Sequence, residues 1–260
     1  MAEDTPDFQR RFGGLARLYG AEAAARLGRL HVCVVGIGGV GSWAVEALAR
    51  SGVGRLTLVD LDHVAESNIN RQVHALDGTL GQAKVQAMRD RVAAIHPACV
   101  VDCIEEFVTP DNAATLLPAC DGIVDAIDQV RAKAALIAHC RRARIPLVTT
   151  GGAGGRSDPT QLRVDDLSRT VQDALASKVR ARLRKEYGFP RDPKKKFGVE
   201  CVYSVEPIRR PQGAACEVDE AGLHGLNCAG YGSTVCVTAP FGFAAAARLL
   251  ARLLANRPGV

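Results

Sequence analysis

Apolar residues in this chain gather into short runs, Val32–Val35, Leu56–Val59, Val100–Ile104, Ile123–Ala126 and Pro146–Thr150, with little alternation of polar and apolar positions. Runs of that kind are expected of strands buried on both faces of a parallel sheet. Between them the spacing turns helical. Trp43, Val45, Leu48 and Ala49 recur on one helix face with Gly52 where a C-terminal cap belongs, a second helix is expected near Gln82–Ile95 before Pro97, and a third over Arg131–Ala143. Thr109-Pro110 reads as a helix start, a capping threonine followed by proline at the first helical position. Strand and helix alternate throughout 31–150, which predicts an α/β fold: a doubly wound, mostly parallel, Rossmann-like sheet.

The flanks differ. Residues 8–29 form an alanine- and arginine-rich helical arm that the pattern breaks at Gly13 and Gly14. After GGAGGRSDPT, a loop, come a strand in QLRVDDL, a helix over Thr170–Tyr187, a basic loop RDPKKKFG, a strand in VECVYSVEPI and a long loop over Pro211–Ser233. The chain therefore divides into an arm (1–30), a nucleotide-binding core (31–155) and a C-terminal part of the same domain (156–260) carrying further strands and a basic helix.

Composition narrows the class. With 260 residues, 47% hydrophobic and 23% charged, the chain is an ordinary globular protein able to bury a core. The apolar stretch Val235–Ala255 contains Pro240, Arg248 and Arg252, so a packed core helix is expected and no membrane association. Nine cysteines, an odd number with no CxxC pair, point to a reducing compartment, and the charged N-terminus lacks the apolar stretch of a secretory signal; the expected location is cytoplasmic. The net charge of +5 favours polyanionic partners.

Gly36, Gly38 and Gly41 fit GxGxxG between the first strand and its helix, and Asp60 closes the second strand nineteen residues later. Such glycines let backbone amides approach a phosphate at a helix N-terminus, and the carboxylate suits ribose hydroxyls. The motif alone does not separate NAD from ATP. Charge does. Asn68, Arg71 and Gln72 follow the second strand, Lys84 opens the next helix and Asp128 follows the fourth strand, all expected at the carboxyl ends of the strands. Expelling pyrophosphate requires cations and a metal, whereas a dehydrogenase would leave these groups unexplained.

The ordered series VVGIGGVGSWAVEALARSGVGRLTLVDLD, SNINRQ, GQAKV and VDAIDQ resembles the adenylation domain of the ubiquitin-activating-enzyme superfamily, whose bacterial members activate carboxylates with ATP. The resemblance implies that Gly39 and Asp60 serve the adenosine and ribose. It gives Asn68, Arg71 and Lys84 to the phosphates and Asp128 to Mg²⁺; Gly36, Gly38, Gly41, Asp62 and Gln72 are further candidates for binding the nucleotide. Arg11, in RRFGG, resembles an arginine that reaches the partner protomer's triphosphate, implying a homodimer.

Relatives that adenylate a sulfur-carrier protein commonly hold structural zinc on two CxxC pairs, which this chain lacks. The segments RFGGLARLYG, FVTPDN, KAALIAHCRR, IPLVTTGGAGG and DPTQ resemble instead a branch that cyclises the threonylcarbamoyl group on the tRNA adenosine beside the anticodon. That resemblance implies tRNA as substrate and leaves a sulfur-transfer protein of the cysteine-desulfurase system open as a partner. Composition adds to it: residues 169–196 hold ten Lys or Arg against three acids, with Arg180, Arg184, Lys185, Lys194, Lys195 and Lys196 as candidate phosphate contacts. Cys228 stands where a thioester cysteine would be sought, but it has no cationic neighbour in sequence and is expected to be inert, as His74, His139 and His224 are expected to be structural. Adenylation of a carrier-protein C-terminus and a non-catalytic tRNA-binding adaptor remain the competing readings.

Overall fold

The computed structural model describes residues 7–209 and 231–255. Seven strands, β1 (His31–Val35), β2 (Arg55–Val59), β3 (Val100–Ile104), β4 (Gly122–Asp125), β5 (Leu147–Thr150), β6 (Leu162–Asp166) and β7 (Glu200–Ser204), form one sheet in the order β3-β2-β1-β4-β5-β7-β6. All neighbours are parallel except β6, which pairs antiparallel with β7 at the edge. The C-terminal strands thus extend the sheet of the core. Strand order reverses between β1 and β4, which opens a crevice beyond their carboxyl ends.

The apolar runs lack alternation because both faces are covered. Val32 and Val34 of β1 pack into a cluster with α3 (Gly41–Arg50), α4 (Lys84–Ile95) and α7 (Val235–Ala255). Cys33 and Val35 point the other way, into a cluster with α5 (Val130–Ala143) and α6 (Ala174–Glu186). Helix α7 is long and apolar enough to cross a membrane, yet Val237, Phe241, Ala245, Leu249 and Leu253 are buried in the first cluster. Each such buried valine, leucine or phenylalanine side chain contributes roughly 1.5–3 kcal/mol over exposure. At Gly242 a Cβ would come within 2.4 Å of the Val40 carbonyl, so α7 and the start of α3 meet backbone to backbone beside the glycine turn.

Two expectations change. The arm is not broken at Gly13 and Gly14: α1 (Phe8–Tyr19) runs through both, capped by Asp7, whose carboxylate accepts the Gln9 and Arg10 amides, and the break before α2 (Ala21–Leu27) falls at Gly20, where φ is +88°. Phe12 anchors the helix, 4.7 Å from the His96 ring, and its tertiary packing outweighs the low helix propensity of glycine. At Thr109-Pro110 no regular helix forms. Asn112 accepts the Thr109 amide at 2.7 Å and donates to the Phe107 carbonyl at 3.0 Å, and these side-chain bonds hold a series of turns in place of a helix.

Candidate nucleotide-binding site

A cleft of about 190 Å³, open to solvent, lies in the crevice between β1 and β4. Its floor is the glycine turn. Gly36 has φ +87° and a Cβ there would lie 2.9 Å from the Ala126 carbonyl; at Gly41 it would lie 1.7 Å from the Gly36 carbonyl. These two glycines are therefore packing requirements of the turn, and Gly41 does not line the cleft, whereas Gly36, Gly38 and Gly39 do. The amides of Gly38, Gly39 and Val40 have no backbone partner among the described residues, leaving donors at the α3 N-terminus.

Asp60, 8% exposed, holds this turn: its carboxylate accepts the Ile37 amide at 2.6 Å and the Asp62 amide at 2.8 Å. Burial pushes its carboxyl above the usual range, against the opposing pull of Lys84 and the two amides. Lys84, 6% exposed, pairs with Asp62 at 2.7 Å, so the cation and the acid face the cleft as one unit. Arg71 is fixed through its backbone: its carbonyl accepts Trp43 Nε1 at 2.9 Å and Thr238 Oγ1 at 3.4 Å. Its guanidinium donates to the Ser67 carbonyl and Asn70 Oδ1, and among the described residues no carboxylate pairs with it. The positive charge is available to an anion. Gln72 lines the same wall, buried, with Oε1 lacking any hydrogen-bond partner among the described residues.

Asp128 stands opposite, past β4, where burial raises its carboxyl and the nearby Lys133 ammonium lowers it. Gly36, Gly38, Gly39, Asp60, Asp62, Arg71, Gln72, Lys84 and Asp128 thus share one cleft. Besides Gly41, Asn68 does not join them, and Arg11, expected to reach the partner protomer's site, stands apart from this one. Asn68 is buried with Oδ1 accepting the Ala65 amide at 3.1 Å, capping a short 3₁₀ turn. Arg11 donates to the Ala94 and Ile95 carbonyls, at 3.3 and 2.6 Å, capping α4 away from its own cleft.

The site also holds residues that spacing does not flag. Glu106, Phe107 and Val108 after β3, Thr150 at the end of β5 with residues 151–154 beyond it, and Ser233 and Thr238 at α7 complete the walls. Lys133 lies directly behind the Asp128 loop, 1% exposed and 3.0 Å from Asp125. A lysine inside the otherwise apolar KAALIA face was the available signal.

In the basic region the structure turns two expected contacts inward. Arg180 donates to Thr170 Oγ1, and Arg184 donates to the Pro190 carbonyl at 3.2 Å and lies 5.2 Å over the Phe197 ring. Their charges serve local packing because α6 must seal the second cluster with Val179 and Leu183. Lys185, Lys194, Lys195 and Lys196 are exposed, as are Arg169, Lys178 and Arg191. Cys228, His224 and most of the Pro211–Ser233 loop lie outside the described residues.

The class is therefore a Rossmann-like α/β protein with a charged cleft at the switch point of its sheet, and residues 10–258 match the ThiF family; the chain belongs to that family. It is 50% identical to the tRNA threonylcarbamoyladenosine dehydratase of Escherichia coli K12 over 255 residues, covering 96% of this chain and 95% of that one. The protein of the same name in Haemophilus influenzae is 47% identical, with 96% of both chains covered. The solved structure of the E. coli protein in complex with ATP superposes with a TM-score of 0.87 at 48% identity, covering 98% of this chain and 97% of that chain. The molybdopterin-synthase adenylyltransferase of E. coli is 38% identical over 119 residues, 46% of this chain.

Proposed function

We propose that this protein uses ATP to cyclise the threonylcarbamoyl group of the modified adenosine next to the anticodon in tRNA, with net loss of water. The carboxylate oxygen attacks the α-phosphorus of ATP and pyrophosphate leaves; an atom of the same side arm then attacks the acyl carbon, loses its proton, and AMP leaves. The nucleophile is tethered, so high effective molarity replaces an enzymic nucleophile. That suits the cysteines: burial pushes Cys99 up to about 11 and Cys140 up to about 12, which leaves neither as a ready thiolate.

The observation that carries this reading is Arg71, held in the cleft with no acid among the described residues against it, across from the carboxylate of Asp128. Arg71 and Lys84 would hold the phosphates and stabilise the charge of the departing pyrophosphate, while the orphaned Gln72 Oε1 and the ordered Asp60 offer acceptors to donors of the nucleotide. Asp128 would hold Mg²⁺, a hard cation suited to carboxylate oxygen, which when bound supplies charge neutralisation at the phosphates. The full-length similarity to dehydratases supports tRNA as substrate, and the match to a carrier-adenylating enzyme over about half the chain does not favour that alternative. Exposed Arg11 supports a homodimer in which it assists across the interface. The free cysteines among the described residues support a cytoplasmic setting. A sulfur-transfer protein stands as an additional partner on the resemblance alone.

The test is to incubate the protein with ATP, Mg²⁺ and tRNA carrying the threonylcarbamoyl group, digest the tRNA and weigh the nucleoside. Loss of one water is expected. An unchanged mass, with ATP and tRNA both bound, would overturn the reading.

A further inference from the structure

Lys133 is a fully buried charged side chain, 1% exposed, and its surroundings are specific. Its ammonium has three N–H bonds and three acceptors: Asp125 Oδ2 at 3.0 Å, the Asp125 carbonyl at 3.3 Å and the Ile127 carbonyl at 2.8 Å. Asp125, at the end of β4 and wholly buried, also accepts Thr149 Oγ1 at 2.6 Å from β5 and the Ile127 amide at 3.1 Å. Every contact converges on the peptide units just before Asp128. The other side of that loop is fixed too, since the Ala126 carbonyl stands against Gly36 of the glycine turn at backbone distance.

Stability does not account for this arrangement. A buried ion pair gains little over well-packed apolar residues of similar volume, because the desolvation of both charges offsets their attraction. Here the pair sits under the loop between strand β4 and helix α5 that presents Asp128 to the cleft. We infer that Lys133, paired with Asp125, is a positioning residue that sets Asp128 against the glycine turn for metal-assisted binding of ATP. This rests on the functional reading above and adds the part of the protein that holds its acid in place.

The test compares wild type with Lys133→Met/Asp125→Asn, which removes both charges together and keeps an acceptor for Thr149. The single variant Lys133→Met would leave Asp125 buried and unpaired and could fail to fold. Thermal melting checks that the double variant is folded, and calorimetry measures ATP affinity with and without Mg²⁺. The expected result is a folded double variant whose Mg²⁺-dependent gain in ATP affinity falls about tenfold or more, with turnover lowered by about a hundredfold, the scale of an ångström misplacement. Lys133→Arg, which restores the charge, should recover part of the gain. A folded double variant with the wild-type Mg²⁺-dependent gain would overturn the inference and leave the functional reading intact. A wild type that binds no ATP would overturn the functional reading, and the inference with it.

Discussion

Arg71 and Gly41 show how differently two residues of one motif series work. Arg71 is charge on a fixed carbonyl: Trp43 and Thr238 hold its backbone while its side chain lines the cleft, and burial lowers its affinity for the proton from an intrinsically very high value. Arg71→Ala should leave the fold intact and lower turnover by about 10²–10³, the usual loss for a preorganised donor at developing charge, measured as cyclised nucleoside per minute. Retained turnover would remove Arg71 from the chemistry. Gly41 carries no chemistry. Its missing Cβ lets the chain pass the Gly36 carbonyl, which is backbone and cannot move aside. Gly41→Ala should cost about 3 kcal/mol, near the top of the range for overpacking, and a urea midpoint equal to wild type would refute that account. Both residues are visible in the sequence; which one binds and which one packs is not, because that depends on where Ala126 and Gly36 meet.

At the scale of elements the strands were legible because a doubly covered sheet leaves unbroken apolar runs, and the helices of the core because one face is apolar. The arm and the Thr109 segment were not, since helix α1 is fixed by the contact of Phe12 with His96 and the Thr109 turns by the bonds of Asn112. The basic region divides the same way. The charge run predicted phosphate contacts uniformly, whereas packing of α6 withdraws Arg180 and Arg184 and leaves the turn at Lys194–Lys196 exposed. Replacing Lys194, Lys195 and Lys196 together by glutamate should weaken tRNA binding without changing ATP affinity. Each lost phosphate contact should flatten the slope of log K against log salt by about 0.7–0.9. An unchanged salt slope would place the tRNA elsewhere.

For the whole molecule, the balance of buried titrating groups sets the response to acid. Glu46 is held below the usual carboxylate range although burial opposes it, because Arg91 and Arg50 both bond to it, so it contributes stability that is lost as pH falls through its folded value. Asp60 and Asp128 run the other way: burial raises them, and protonation in acid relieves a penalty. In the range in between, burial lowers His31 and His96, and it lowers His74 as well. His74 is 2% exposed, neither ring nitrogen has a hydrogen-bond partner among the described residues, and burial with Lys84 and Arg91 nearby lowers it from 6.5 to about 4. Below 6.5 the unfolded chain takes up a proton that the folded ring refuses until about 4, so stability falls with pH across that window. Between pH 7 and pH 5 the loss from this residue is about 2 kcal/mol. Urea unfolding at the two pH values should show that loss in wild type and most of it removed in His74→Leu. If both proteins lose the same stability, the acid response comes from other groups, His31 and His96 among them, and His74 is not buried as the neutral ring.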